Sequence, residues 1–229
     1  MIKRSEVWTV RYPRSGAEFG RALAFFDSGA VVALTLLAIN VLNRPRHDYR
    51  PETWHQDFEG LLLLRNPAMV ALIISFVFVG MFWLGHHLMV AHLVAIDRSF
   101  ILANLVYLFF VTLAPVAAIA MAEHSKDPYA IGFYGAWLIA LTVMQCVLAW
   151  LAGRRALFAP SVNGPTYVRD EFVLGAIRVV VFGIAIAVAY LTRPALSLWV
   201  LVPGLVASEV FQRRRTDLRP VEAEGDAAT

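Results

Sequence analysis

The sequence predicts an all-α integral membrane protein with six transmembrane helices per subunit, and three observations lead there. Hydrophobic residues make up 59% of the 229-residue chain and charged residues only 16%, where an average soluble domain carries roughly 25% charge. The apolar residues fall in long blocks instead of alternating with polar ones, and blocks of about 18–25 apolar residues match the hydrocarbon thickness that a helix must cross. Runs of that length are helical, because without water every backbone N–H and C=O has to be satisfied within the segment.

Six blocks follow in order. The first runs from Ala22 to Leu42, the second from Pro67 to Ala91 and the third from Ile101 to Ala122. The fourth covers Ala130 to Ala152, the fifth Phe172 to Thr192 and the sixth Pro194 to Phe211. Only Arg193 and Pro194 stand between the last two, which predicts a tight antiparallel hairpin with Pro194 in the first turn, where its missing N–H costs nothing. The organisation expected is an N-terminal segment 1–21, a membrane domain 22–212 and a tail 213–229 that is acidic, Ala-rich and without periodicity, so disordered. The longest connection, Asn43 to Asn66, contains Trp54 and the run Leu61 to Leu64, which suits the membrane interface. No signal-peptide core precedes the first block, so that block is expected to be retained as a helix.

Lys and Arg set the expected orientation. With both termini cytoplasmic, the inner segments hold thirteen: Lys3, Arg4, Arg11, Arg14, Arg21, Arg98, Arg154, Arg155, Arg169, Arg213, Arg214, Arg215 and Arg219. The outer ones hold six: Arg44, Arg46, Arg50, Arg65, Lys126 and Arg193. That bias places both termini inside, as an even number of spans requires, and it reads the net charge of +3 as a topology signal. No basic stripe with interleaved aromatics points to nucleic acid. The single cysteine, Cys146, lies in an apolar run and reads as packing.

An ionisable group in a bilayer needs a partner and is a functional candidate by default. In Arg21-Ala-Leu-Ala-Phe25-Phe26-Asp27, Arg21 and Asp27 are six residues apart, roughly 240° around a helix. They share no face, so each is expected to find its partner on another helix or another subunit. Beyond Asp27, Val32, Thr35, Leu36 and Ile39 recur at helical spacing as one continuous stripe, which spacing alone leaves as either a packing face or a pore lining. The second block ends in Trp83, His86 and His87, followed by His92. No two of these histidines stand at i, i+4 as a helical zinc pair would, so a hydrogen-bonding cluster answering Asp27 is favoured over a metal site. Asn104 and Pro115 mark the third block, and Arg178 in the fifth needs Glu171, Asp170 or a path to the surface. Phosphate loops, nucleophile elbows and paired carboxylates are all missing from the sequence, and no enzyme or bound cofactor is expected.

These residues together resemble the bacterial relatives of the lysosomal potassium channel called transmembrane protein 175. Arg21, Phe25, Asp27, Ala33, Thr35, Leu36 and Leu37 match that family's first-helix signature. Ser75-Phe76 with Trp83, His86 and His87 match its second helix, and Asp97, Asn104 and Pro115 its third. The resemblance covers roughly Arg21 to Ala122, while the last three blocks match only in number, length and the Tyr129-Ala130 to Tyr134 start of the fourth. It implies a homotetramer in a bacterial inner membrane with a pore lined by the first helix. Val32, Leu36 and Ile39 would form apolar constricting rings, Thr35 a hydroxyl ring near which potassium passes, and no Thr-Val-Gly-Tyr-Gly filter would be used. Arg21, Phe25, Asp27, Trp83, His86, His87 and Asn104 would form a structural polar cluster behind the pore helix. The sequence departs from the pattern at Phe26, which replaces a serine, and at Val32, which replaces a larger Ile. The competing class is a proton-coupled secondary transporter using Asp27 and the second-helix histidines, against which stand the absence of inverted repeats and broken helices. A purely structural membrane scaffold is the third reading.

Overall fold

The computed structural model describes residues 10–42 and 67–191. The order of elements is β1 (Arg11–Pro13), α1 (Ala17–Leu42), α2 (Pro67–Ala91), β2 (Ala95–Asp97), α3 (Arg98–Thr112), α4 (Ala114–Glu123), α5 (Pro128–Arg154) and α6 (Gly164–Leu191). Among the described residues five helical stretches are long and apolar enough to cross a membrane, α3 and α4 counting as one. They coincide with the first five apolar blocks. The sixth block, its hairpin, the connection 43–66 and the C-terminal tail lie outside the described residues.

The helix ends follow from local chemistry. Asp97 caps α3 by accepting from Phe100 N–H at 2.8 Å, and Asp127 caps α5 by accepting from Tyr129 N–H at 2.9 Å, with Pro128 in the first turn. At the other end of α5, Leu157 N–H reaches back to Ala152 O at 2.9 Å while Ala156 takes φ 49°. This closes the helix as a glycine would, with an alanine strained by roughly 1–2 kcal/mol in a left-handed conformation. The fifth block begins earlier than hydropathy indicates: α6 starts at Gly164, where Asn163 Oδ1 accepts from Thr166 N–H at 3.1 Å, and runs through polar residues before the apolar ones begin. The third block breaks at Leu113. Pro115 has no N–H to offer the Val111 carbonyl four residues back, and at the break the Phe110 carbonyl accepts from Leu113 N–H at 3.2 Å and from the Trp137 indole at 2.8 Å.

In the bundle, α1 packs on α2, α3 and α4, α3 packs on α5, and α5 pairs with α6. The inner face of α1 is Phe26, Ala30, Ala33 and Leu37, all buried. Small residues let the backbones come close, and a side chain at Gly29 would collide with Leu108 of α3.

At one end of the bundle lies a layer that hydropathy did not predict. β1 pairs antiparallel with β2, setting Arg11 opposite Asp97, Tyr12 opposite Ile96 and Pro13 opposite Ala95. Arg14 donates to the carbonyls of Ala91 at 2.7 Å and Leu93 at 3.0 Å, and Arg11 to that of Arg155 at 2.7 Å. Arg155 in turn meets Asp97 at 3.5 Å and Ser99 at 3.2 Å. Arginines read as charges that set orientation are therefore also the donors that satisfy carbonyls where α2 and α5 end.

Candidate functional site

The stripe picked out by spacing is on the uncovered side of α1. Val32 is 52% exposed, Leu36 42% and Ile39 45%, and Thr35 is exposed with them. Of the five spans, α1 is the least covered by the rest of the chain: 22% of its apolar window is buried against 33–50% for the others. A helix that meets its own chain with one face and leaves a continuous stripe on the other has a second surface to cover, with lipid, another subunit or water. The stripe is apolar except at its hydroxyls. Thr35 donates to Val31 O at 2.9 Å and Ser28 to Ala24 O at 2.6 Å, so each hydroxyl proton is spent on its own helix and the oxygen lone pairs remain as acceptors.

On the covered side, Asp27 finds its partner on another helix, as expected. Trp83 Nε1 of α2 donates to Asp27 Oδ1 at 3.0 Å. His87 Nδ1 stands 3.9 Å from the same oxygen, beyond hydrogen-bond reach, with its ring against the Trp83 indole at 5.2 Å between centroids. His86 points to the other side of α2, stacked on Tyr107 of α3 at 5.3 Å and edge-on to Phe26 at 6.2 Å. Asn104 lies beside it, fully buried.

Two residues expected in this cluster are elsewhere. Arg21 pairs with Glu18 of its own helix at 3.3 Å, both side chains largely exposed. The partner is one turn earlier on the same face, in the polar lead-in, and among the described residues no ion pair to a second helix is formed. Phe25 turns outward, 54% exposed, against the Phe26 ring. His92 is apart as well, its Nδ1 2.6 Å from Leu88 O and its ring against Tyr167. Among the described residues no three His, Cys, Asp or Glu side chains converge as a metal site would require.

A second polar joint holds the rear of the bundle. Phe82 O of α2 accepts from Gln145 Nε2 of α5 at 2.7 Å and from Tyr107 OH of α3 at 3.1 Å. Gln145 Oε1 accepts from Arg178 of α6 at 2.9 Å, and Arg178 lies 4.0 Å from Glu171 and over the Phe82 ring at 5.3 Å. Glu171 is thus the partner for Arg178, while Asp170 pairs with Arg169 at 3.2 Å. Gln145 and Tyr107 were not singled out from the sequence. A polar amide inside an apolar block was the available signal for the first. Cys146 packs as expected, its thiol 3.7 Å from Glu171 O and close against Gly175.

The fold and this arrangement define a polytopic helical membrane protein whose first helix is braced from behind by polar side chains and uncovered in front. Residues 21–115 match the family described as endosomal/lysosomal potassium channel TMEM175. A protein named potassium channel from Streptomyces collinus is 29% identical over 184 residues, 77% of this chain and 85% of its own length. One of the same name from a Chryseobacterium species is 27% identical over 150 residues, 63% of this chain and 72% of its own. The crystal structure of a lysosomal potassium-selective channel TMEM175 homologue from Chamaesiphon minutus superimposes with a TM-score of 0.66 at 22% identity, covering 87% of this chain and 99% of that one. That likeness supports the fold. The family and these relatives are ion channels, not enzymes.

Proposed function

We propose that the chain forms a homotetrameric, leak-like channel that prefers potassium, with α1 of each subunit lining the pore. The observation that carries this is the uncovered stripe of α1, apolar at Val32, Leu36 and Ile39 and broken by the Thr35 hydroxyl. The potassium channels among its relatives supply the ion. In a tetramer each of these positions becomes a ring of four. Apolar rings constrict the pore and disfavour water there, so that an ion crossing them gives up part of its hydration. The Thr35 ring offsets part of that loss. Its hydroxyl protons are directed to Val31 O, which leaves oxygen acceptors toward the axis, and potassium, holding its water less tightly than sodium, gains more from a partial replacement. The Asp27–Trp83 bond on the opposite side holds α1 in register and does not touch the ion. In this reading the span Pro194 to Phe211 completes six helices, both termini are cytoplasmic and the membrane is a bacterial inner membrane.

The test is ion flux in liposomes under potassium and sodium gradients. The wild type is expected to pass potassium passively and in preference to sodium. Thr35→Ala should lower the potassium preference several-fold, and Val32→Ala should raise conductance by widening the narrowest ring. Unchanged conductance and selectivity in both variants would sink the pore assignment, and flux stoichiometrically coupled to protons would point to a carrier.

A further inference from the structure

Between α1, α2 and α3 lies a small enclosed cavity of about 10 Å³, walled by Phe26 and Ala30, by Val79 and by Val111, and lined also by His86 and Asn104. On that measure a single water needs roughly 10–15 Å³ and two to four polar partners, and the lining supplies them. His86 is 3% exposed and Asn104 0%, and neither His86 Nε2 nor either atom of the Asn104 amide reaches a hydrogen-bond partner among the described residues. The two side chains face each other at polar-contact range without reaching hydrogen-bond geometry, and the imidazole is held where it stands. It is stacked on Tyr107 with the rings 13° from parallel, and the Phe26 ring stands against it at 88°. Tyr107 is itself tied to Phe82 O at 3.1 Å. From α1 the cavity wall receives Phe26 and Ala30, which offer no polar side-chain atom.

We infer that this cavity is a binding site for one ordered water molecule, which bridges His86 Nε2 of α2 to the Asn104 amide of α3 beneath the first helix. A water both donates and accepts, and the amide presents its oxygen or its nitrogen by a half-turn, so the bridge forms with either tautomer of the imidazole. The joint between the first helix and its support is then closed by solvent at one point and by protein groups at the others.

Two measurements test this on the full-length protein in lipid nanodiscs. A structure at a resolution that shows ordered water should contain one peak about 2.7–3.2 Å from both His86 Nε2 and one Asn104 amide atom. A direct His86–Asn104 hydrogen bond with no such peak would overturn the inference. Independently, Val79→Ile and Val111→Ile each add one carbon to the cavity wall. If the site holds water, that carbon expels it, strands two buried polar groups and lowers the melting temperature by several degrees. A dry apolar void would be filled favourably, so unchanged or raised melting temperatures in both variants would also overturn it. Asn104→Leu should abolish the peak while His86 stays stacked on Tyr107.

Discussion

The two polar joints of this protein do different work with the same kinds of residue. The front joint, Asp27 with Trp83 and His87, is part-exposed: the Asp27 side chain is 32% exposed and that of His87 43%, and one hydrogen bond of 3.0 Å connects α1 to α2. The rear joint is nearly dry, with Arg178 at 6% and Glu171 at 11%, and it connects α2, α3, α5 and α6 through the Phe82 carbonyl and Gln145. A charge in a dry joint cannot lose its partner without large cost, whereas a charge near the surface keeps water as an alternative. The rear joint therefore fixes the frame, and the front joint tethers a single helix to it.

That contrast can be broken at graded points. Arg178→Met should be the most damaging, lowering stability by about 3–5 kcal/mol because Glu171 is left buried beside an apolar chain. Thermal unfolding of the purified protein measures it, and adding Glu171→Gln to that variant should recover part of the loss, since a neutral amide does not miss the lost cation. Trp83→Phe keeps the ring against His87 and removes only the donor to Asp27. It should cost about 1–2 kcal/mol, at the lower end for a bond to a charged group, because water can reach the carboxylate. Arg21→Gln should change stability by less than ~0.5 kcal/mol, as an exposed pair within one helix does. If Arg21→Gln proved as costly as Trp83→Phe, Arg21 would be bound by something beyond Glu18, as a neighbouring subunit would supply.

What the sequence made legible follows the range of the forces involved. Hydropathy is a local sum, so the five described spans were read to within a few residues at most ends, and missed at the start of α6, whose polar first turns are capped by Asn163 and bury Tyr167 and Glu171 on one side without forming an apolar run. Periodicity exposed the Val32 to Ile39 stripe, and the cost of a carboxylate within an apolar block exposed Asp27. Pro115 was noted in the third block, but the break beside it was not read from the sequence. The strands were invisible: three residues each, paired between Arg11 and Asp97 across a long sequence separation, they carry no alternation to read. Within the chain Arg21 stands at the exposed start of α1 with Glu18 one turn away, a local pair that the rule for charges inside a membrane did not bring forward.

The pairing of β1 with β2 has a mechanical consequence. Three residues, Arg14 to Gly16, separate the end of β1 from the start of α1, and the first of them is bonded through its backbone to Val94 and through its side chain to Ala91 and Leu93. The first helix is thus a beam clamped at its foot to the junction of α2 and α3. Sliding along its own axis would break the ladder and strip the carbonyls that Arg14 caps, so the motions left to it at low cost are bending above the clamp and twisting of the far half. Displacement would then grow with distance from the foot, from Asp27 through Val32 to Ile39.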